Sequence, residues 1–372
     1  MKEHIKVIKD DNLSGERVLI IAFKKKDPIE TDTSIRELEF LSKTLRLNIV
    51  KTLLLKENLI HPSTYIGKGK LFEIKKIVDE YKITLVVFEK DLSPVQQRNI
   101  EETLNINVID RTLLILYIFA EHAKSKEGKI QVELAQLTYL LPRLTGHGIE
   151  LSRIRGGLGI KGPGEMKIEV YRRRIKERIG KLKQEIKEIE KHRNVLRSSK
   201  KREKFHAVSL IGYTNVGKST LLNKLSSSNL YVANKLFSTL DPATRLVYIG
   251  DDKYVLMSDT VGLISNIPHH LIEAFKSTLD EIKYADLLLC VYDVSTNIEK
   301  QKNTIYDVLK ILNVEEKPRI DVFNKIDLLE KEELNIMKIQ NPEKIFISSL
   351  TKEGFDQLRE KIMEVFYGIG VK

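Results

Sequence analysis

The stretch that decides the fold is residues 212–219, which read GYTNVGKS and follow an apolar run at 207–211. It matches G-x-x-x-x-G-K-[ST], and the helix-like LLNKL after it completes the strand–loop–helix order of a phosphate-binding loop. Backbone N–H groups in such a loop, together with the positive end of the helix, attract phosphates. We predict that Lys218 reaches the β- and γ-phosphates and that Ser219 ligates Mg²⁺. The predicted nucleotide contacts here are Gly212, Tyr213, Thr214, Asn215, Val216, Gly217, Lys218, Ser219 and Thr220.

A second motif, DTVG at residues 259–262, ends a strand-like run. In P-loop enzymes an Asp at this place holds Mg²⁺, usually through water, and the Gly offers its N–H to the γ-phosphate. We assign Asp259 to the metal and Gly262 to the phosphate. A switch threonine is expected between the two motifs, and of Thr239 and Thr244 we favour Thr239 as a Mg²⁺ ligand. The predicted catalytic residues are Lys218, Thr239 and Gly262, and the predicted metal ligands are Ser219, Thr239 and Asp259.

A third motif, NKID at residues 324–327, separates GTP from ATP as the ligand. Asp327 can accept hydrogen bonds from guanine N1–H and from its amino group, whereas adenine would present a lone pair to the same carboxylate. Asn324 can bond the other edge of the base, and Lys325 can lie along its face. Further N–H groups are expected from Ser348, Ser349 and Leu350, which follow another strand. The motifs occur in the right order at strand ends, and they predict GTP and GDP as ligands with Mg²⁺.

The position after Gly262 predicts slow intrinsic hydrolysis. Many GTPases place a water-orienting Gln there, but this chain has Leu263, which cannot orient water. We therefore expect a partner or a monovalent cation to accelerate turnover. Asn215 could help to ligate K⁺ beside the phosphates; alternatively it only braces the loop. Equal turnover in K⁺ and Na⁺ buffers would contradict the K⁺ hypothesis.

Length and composition favour a cytosolic protein of two or three domains. The chain has 372 residues, which is longer than a domain with one ordinary core. Hydrophobic residues make up 42% and charged residues 31%, as in a globular protein. Its longest apolar runs, such as residues 113–120, are far below the roughly 18 residues that span a bilayer. The N-terminal residues do not resemble a secretory signal. Cys290 is the single cysteine, so an intrachain disulfide and a Cys-rich zinc site are excluded, and we interpret it as a buried apolar residue.

Alternating apolar and polar segments predict an α/β fold. Strand-like runs at residues 18–23, 49–55, 85–88 and 108–109 are separated by helix-compatible segments such as 34–47 and 70–81, as in a mostly parallel sheet. Five further runs after residue 205 predict a P-loop GTPase domain with a doubly wound parallel sheet. The predicted domains are an α/β N-terminal domain at 1–125, an antiparallel helical hairpin at 126–200 and a G domain at 205–368.

The predicted hairpin is the basic part of the chain. Residues 143–204 contain 20 Lys or Arg and 8 Asp or Glu. Apolar residues recur at steps of four and three in both helices, at Ile130, Leu134, Leu137, Leu141 and Leu144 and at Ile175, Ile179, Leu182, Ile186 and Ile189. The seams can bury each other or pack on the neighbouring domain. Between them, residues 146–164 carry seven glycines with Arg153, Arg155 and Lys161. By itself this loop is better explained as a flexible linker, but the basic segment and the loop together favour an RNA contact through phosphate oxygens.

Long strings in the sequence resemble the HflX GTPases of the Obg-like translation-associated group. They include QVELAQLTYLLPRLTGHG (131–148), GGLGIKGPGE (156–165), KLFSTLDPATR (235–245) and DTVGLISNIPHHLIEAFKSTL (259–279). The resemblance implies a ribosome-binding GTPase that acts on the large subunit and its rRNA and splits stalled or idle ribosomes, notably under heat stress. It also implies that the N-terminal domain and the hairpin contact the ribosome. ATP hydrolysis and RNA unwinding are attributed to members of the family.

Two functions of other classes remain open on the sequence. One is an RNA-remodelling NTPase that uses ATP through its N-terminal domain, although residues 1–200 contain no second G-x-x-x-x-G-K-[ST] loop. The other is a membrane-associated regulator whose basic helix binds anionic lipid, although the long apolar face with aromatic anchors of an interfacial helix is missing. We rank both below the ribosome-splitting GTPase, and expect a cytoplasmic monomer with at most weak membrane association.

Overall fold

The computed structural model describes residues 13–56, 60–144, 163–200, 205–226, 243–263 and 276–368. By its internal contacts the chain divides into two units. The first contains Met1–Glu121 and Lys129–Glu185, and the second contains His122–Gly128 and Ile186–Lys372. The helical residues 129–143 and 163–185 are thus grouped with the N-terminal sheet, and the three-domain division stays a prediction.

The first unit is built on a four-stranded parallel sheet. Its strands are β1 (Arg17–Lys24), β2 (Asn48–Lys56), β3 (Leu85–Phe88) and β4 (Asn107–Asp110), in the order β2-β1-β3-β4. Strand β1 lies inside the sheet, and its residues 18–23 are buried. These four parallel strands confirm the predicted α/β fold of this region. They were recognisable in the sequence because continuous apolar runs are typical of strands covered on both faces.

Helices connect these strands. They are α1 (Pro28–Thr44), α2 (Lys68–Tyr81), α3 (Pro94–Leu104) and α4 (Arg111–His122). Helix α1 begins six residues before the predicted start at 34 because the Asp27 carboxylate accepts a hydrogen bond from Ile29 N and Pro28 occupies the first turn. A side-chain cap and a proline with its φ already fixed initiate helices well. Among the described residues, no helix is both long and apolar enough to cross a membrane.

Two further helices, α5 (Lys126–Arg143) and α6 (Pro163–Lys200), occupy the predicted hairpin region. The Arg178 guanidinium donates two hydrogen bonds of 2.8 Å to the two carboxylate oxygens of Glu133, so the two helices are adjacent. The predicted seam residues Ile130, Leu134, Leu137, Ile175 and Leu182 are buried, and the other five are partly buried. The antiparallel arrangement stays a prediction.

The second unit contains a six-stranded sheet. Its strands are β5 (His206–Gly212), β6 (Ala243–Gly250), β7 (Lys253–Asp259), β8 (Leu287–Asp293), β9 (Arg319–Asn324) and β10 (Ile345–Phe346). The order is β10-β9-β8-β5-β7-β6, with β6 antiparallel to β7 and the other pairs parallel. The five predicted strands are present, whereas β6 was missed because this edge strand alternates buried and exposed residues instead of forming an apolar run.

Helices of this unit are α7 (Lys218–Leu225), α8 (Lys276–Tyr284), α9 (Ile298–Leu312), α10 (Lys331–Gln340) and α11 (Phe355–Tyr367). Two apolar clusters in this unit include the buried residues of β5, β8 and β9. Cys290 is buried within β8, and burial raises the pKa of its thiol to about 12, so the interpretation as an apolar core residue is confirmed. After β5 the chain continues to β6 and β7 on one side of the sheet, and after β8 it continues to β9 and β10 on the other side. The crevice at the carboxyl ends of the neighbouring strands β5 and β8 is therefore a topological switch point. Ligands of open α/β sheets bind at such points.

Candidate functional site

The loop between β5 and α7 is shaped by two glycines. A Cβ on Gly212 would lie 2.4 Å from the carbonyl oxygen of Val291, so β8 passes too close for any side chain there. Gly217 has φ +96° and caps α7, and a Cβ on it would lie 2.4 Å from Asn324 Nδ2. Both positions require glycine for steric reasons, and together they let the backbone turn back over the end of β5.

Lys218, the first residue of α7, folds back over this loop. Its buried ammonium group donates hydrogen bonds of 2.9 Å to the carbonyl oxygens of Gly212 and Tyr213. Burial lowers the pKa of Lys218 to about 8, although the nearby Asp259 carboxylate acts in the opposite direction. An ammonium held largely by neutral carbonyls is stabilised by an arriving anion. The position fits the predicted contact with the β- and γ-phosphates.

Ser219 and Asp259 meet at the predicted metal position. The Ser219 hydroxyl donates a hydrogen bond of 2.5 Å to Asp259 Oδ2, which brings a residue of α7 next to the end of β7. Asp259 is 1% exposed. A hydroxyl oxygen beside a carboxylate is a donor set that suits the hard, oxygen-seeking Mg²⁺ ion. Ser219 and Asp259 therefore fit the Mg²⁺ ion that the sequence predicts at this position.

The DTVG segment is joined to the phosphate loop by its backbone. Thr214 N donates to the Leu263 carbonyl at 2.6 Å, and Leu263 N donates to the Gly212 carbonyl at 3.0 Å. A Cβ on Gly262 would lie 2.7 Å from Thr214 Cγ2, so only glycine allows this approach. The Leu263 side chain is 1% exposed within an apolar cluster that includes Ile211. Since that side chain points into the core, it cannot orient a water molecule, as predicted.

Asn324 links three segments of the site. Its Nδ2 donates to the Val216 carbonyl in the phosphate loop at 2.7 Å. Its Oδ1 accepts from the backbone N and from the hydroxyl of Ser349, at 2.9 and 3.0 Å. Asn324 is buried, and these bonds use one Nδ2 hydrogen and both lone pairs of Oδ1 on protein groups. The predicted bond from this side chain to the base edge is therefore left to the second Nδ2 hydrogen, while the other contacts brace the pocket.

Asp327 lies in the short helix Ile326–Leu328, directly after β9. Its Oδ1 accepts a hydrogen bond of 2.5 Å from the Ser348 hydroxyl, and its side chain is exposed. The hydroxyl of Ser348 in turn accepts from Leu350 N at 3.3 Å, and Leu350 itself is exposed. The carboxylate is therefore fixed by one oxygen while remaining accessible, as a group that reads a ligand must be.

One residue of this site was missed. Asp293, the last residue of β8, is buried, and its Oδ2 forms an ion pair with the Lys325 ammonium group, from which it accepts a hydrogen bond of 2.6 Å. Asp293 lies directly opposite Asn324 in the register of β8 and β9. A signal was present in the sequence, since a carboxylate ends the apolar run at 287–292 on a strand beside those that carry the motifs.

The remaining predicted residues differ in how they can be assessed. Asn215 is exposed at φ +63°, Val216 is buried, and Tyr213 and Thr220 are partly buried within or directly after the loop. Four predicted residues, Thr239, Arg153, Arg155 and Lys161, lie outside the described residues. Their roles, including that of Thr239 as a metal ligand, stay predictions. Among the described residues, no cluster of three or more His, Cys, Asp or Glu side chains could hold a metal ion.

The phosphate loop and the Asp327 carboxylate thus lie along one edge of a single sheet, and this arrangement defines a guanine-nucleotide-binding P-loop GTPase. The chain is 46% identical over 348 residues to the GTPase HflX of Caldanaerobacter subterraneus subsp. tengcongensis, covering 93% of this chain and 80% of that protein. It is 40% identical over 311 residues to the GTPase HflX of Escherichia coli, covering 83% and 73%. The chain belongs to the HflX GTPase family.

Family models and a solved structure agree with this assignment. The models described as GTP-binding GTPase N-terminal, GTP-binding GTPase Middle Region and 50S ribosome-binding GTPase match residues 32–120, 122–200 and 207–325. The crystal structure of the SsGBP–GDP complex is similar with a TM-score of 0.51 and 27% identity, covering 96% of this chain and all of that one. The protein is a GTPase that binds GTP and GDP.

Proposed function

We propose that this GTPase binds the large ribosomal subunit through its rRNA and that its GTP-bound form splits ribosomes into subunits. The observation that carries the proposal is the combination, in one chain, of the guanine-nucleotide site with the exposed basic helix α6. The description of the model matched at 207–325, a 50S ribosome-binding GTPase, supports the same partner. A cytoplasmic monomer fits this role.

The described side chains of α6, residues 169–192, include nine Lys or Arg and five Glu. Some of these charges are paired, as in the contact of Arg178 with Glu133. The basic side chains of Lys181, Lys183, Lys187 and Lys191 are exposed. Such a face attracts a dense array of phosphates, and its contribution falls as salt rises. Arg153, Arg155 and Lys161 in the adjoining loop are proposed to contact rRNA in the same way.

The nucleotide acts as the switch. Lys218 and the loop amides hold the triphosphate, and Asp327 selects guanine. Ser219, Asp259 and Thr239 would hold Mg²⁺, which when bound supplies positive charge that neutralises the β- and γ-phosphates. The γ-phosphate orders Thr239 and the segment after Gly262, and so stabilises the conformation that docks on the large subunit. The binding energy of that state splits the ribosome, and hydrolysis releases the protein.

Hydrolysis in the free protein is proposed to be slow. Leu263 is buried where a water-orienting side chain would stand, so the ribosome must supply or position that function. K⁺ near Asn215 is the second proposed accelerator, and Asn215 is exposed at the loop where such an ion would meet the phosphates. Turnover measured in K⁺ and in Na⁺ buffers, each with and without ribosomes, separates the two contributions.

Gradient sedimentation of intact ribosomes tests the splitting role. Ribosomes are incubated with the full chain and GTP, a non-hydrolysable GTP analogue or GDP, and the Lys218→Ala variant serves as the nucleotide-binding control. We expect GTP and the analogue to shift ribosomes to subunits, and GDP and the variant to leave them intact. If neither GTP nor the analogue produces subunits, the splitting role is wrong, even though the protein is a GTPase.

A charge-removal variant tests the RNA contact. Arg153, Arg155 and Lys161 are replaced together by Ala, and Lys310, Lys331 and Lys338, which are exposed on the second unit, are replaced in a charge-matched control. We expect the loop variant to bind large subunits more weakly with a reduced salt slope. Unchanged affinity at low and high salt, or an equal loss in the control, contradicts the assignment of the loop to rRNA phosphates.

A further inference from the structure

We propose that Asp293 is a positioning residue of the guanine site, which acts by fixing the ammonium group of Lys325. The inference rests on the proposed role of Lys325 along the face of the base. The Lys325 ammonium lies 2.6 Å from Asp293 Oδ2, and the two side chains are 25% and 9% exposed. A close, largely buried pair of this kind holds a long side chain far better than an exposed surface pair does.

Asp293 is itself held from several sides. Its other oxygen, Oδ1, accepts hydrogen bonds from the backbone N of Ser295 at 2.9 Å and from the Ser295 hydroxyl at 2.6 Å. Its backbone N donates to Gln301 Oε1 and its carbonyl accepts from Gln301 Nε2, both at 2.9 Å. The buried Gln301 amide thus replaces the sheet partner that Asp293 lacks on the side of β5. The carboxylate therefore has a defined position and orientation.

The register of the sheet explains what this position achieves. Asp293 lies opposite Asn324, and Lys325 is the next residue along the chain. Lys325 adopts φ +69°, so the backbone turns sharply between the base-pocket residues Asn324 and Asp327. With its ammonium held at the end of β8, the methylene stem of Lys325 spans the ends of β8 and β9. A flexible four-carbon chain is thereby ordered before the nucleotide arrives, which reduces the entropic cost of binding.

A double-mutant cycle tests this inference on the full chain, with the dissociation constant for a fluorescent GDP derivative as the readout. The variants are Asp293→Asn, which keeps the shape of the side chain, Lys325→Met, and the two together. We expect each single change to weaken GDP binding roughly tenfold relative to the unchanged protein. The double variant should also bind GDP only about tenfold more weakly than the unchanged protein, because the two residues act through one contact. The milder Ser295→Ala change is expected to weaken GDP binding about twofold, and to leave it unchanged when Lys325→Met is already present.

The matched control is Asp321→Asn, which removes a similar ion pair of 2.7 Å between Asp321 and Lys344 elsewhere on the same sheet. We expect it to lower the melting temperature without changing the GDP dissociation constant. A roughly hundredfold loss in the Asp293→Asn, Lys325→Met double variant would mean that the two residues act independently and would overturn the inference, as would full affinity in Asp293→Asn. Equal weakening by Asp321→Asn would also overturn it, since the effect would then be general destabilisation.

Failure of the site itself is recognised separately. If Asp327→Asn leaves the preference for GTP over xanthosine triphosphate unaltered, the base pocket is misplaced and the role of Asp293 falls with it. If Asp327→Asn changes that preference while the cycle is additive, the pocket is correct and only the role of Asp293 is wrong.

Discussion

The first sheet is parallel and the second is parallel except for β6, and the two differ in what surrounds the carboxyl ends of their parallel strands. At the end of β3, the buried Glu89 accepts hydrogen bonds from Phe23 N at 2.7 Å and from the Ser34 hydroxyl at 2.5 Å. At the end of β4, the buried Asp110 accepts from two backbone N–H groups and pairs with Arg143 at 3.2 Å. These charged groups are therefore satisfied by neighbouring protein groups.

At the corresponding edge of the second sheet, the chain makes room instead. Three glycines, at 212, 217 and 262, stand where a Cβ would lie within 3.0 Å of a neighbouring atom. The buried Lys218 has carbonyl oxygens as its hydrogen-bond partners, and Asp327 is accessible. The comparison teaches that a parallel sheet provides the place for a ligand, whereas the loops after its strands decide whether that place is closed by side chains or shaped for phosphate and base.

The largest effect is expected from Asp327→Asn. Asn keeps an oxygen for the Ser348 hydroxyl but presents an amide N–H₂ where the carboxylate faced guanine N1–H and the amino group. That group suits the carbonyl of xanthine. We expect the preference between GTP and xanthosine triphosphate to change by roughly 10⁴-fold in favour of the latter, because a polar group that mismatches the bound base discriminates strongly. Competition binding of the two nucleotides measures it, and retained guanine preference would contradict the pocket.

Gly217→Ala should have the next largest effect. The new methyl would lie 2.4 Å from Asn324 Nδ2, and φ +96° is a strained conformation for Ala. We expect GDP affinity to fall roughly a hundredfold, since the backbone of the phosphate loop must shift. Gly180→Ala is the matched control, because Gly180 lies in α6 with nothing within 4 Å of the added Cβ. Equal affinity of the two variants for GDP would show that the cradle tolerates a side chain.

Glu89→Ala tests the carboxyl-end edge of the first sheet, which we call the closed edge because side chains fill it. The open edge is the corresponding edge of the second sheet. It leaves the buried Phe23 N–H and the Ser34 hydroxyl without their acceptor, which we expect to destabilise the N-terminal sheet by about 2 kcal/mol, or roughly 30-fold in its folding equilibrium. GDP affinity should stay the same. Glu73→Ala, which removes an exposed surface pair with Lys70, should change stability little. Denaturant unfolding measures the first effect, and weaker GDP binding in Glu89→Ala would refute the division between a closed and an open edge.

The sequence was sufficient for the open edge because its chemistry depends on residue types at fixed spacing. Gly212, Lys218, Asp259 and Asp327 each follow or end an apolar run, so the parallel sheet necessarily brings them to one edge. The strands of both sheets were predictable for the same reason, as their burial on two faces produces continuous apolar runs.

What could not be predicted depends on contacts between distant segments. The pairing of Asp293 with Lys325 requires the register of β8 against β9. The backbone bridge from Leu263 to Gly212 and Thr214 involves N–H and carbonyl groups that every residue carries, so no residue type reveals it. Strand β6 was missed because an edge strand with one exposed face has too weak an apolar pattern.

The smallest effect is a pH dependence that again separates the two edges. Burial lowers the pKa of Lys218 to about 8, below the value of about 10.4 expected in the unfolded chain. The fold thus disfavours the charged form, so the stability that Lys218 contributes is present at high pH and is lost as pH falls toward 8. Nucleotide binding has the opposite sign, because phosphate raises the pKa of Lys218 and binding then takes up a proton.

We therefore expect GDP affinity to fall roughly fourfold between pH 7 and pH 8.5, as the free protein loses the proton that the complex retains. Calorimetry in two buffers of different ionisation enthalpy should detect the proton uptake. Lys218→Met should bind weakly and without this dependence. At the end of β4 in the first sheet, burial raises the pKa of Asp110 from its ordinary acidic value. A pH slope that persists in Lys218→Met would assign the proton to another group and remove Lys218 as the residue that meets the phosphates.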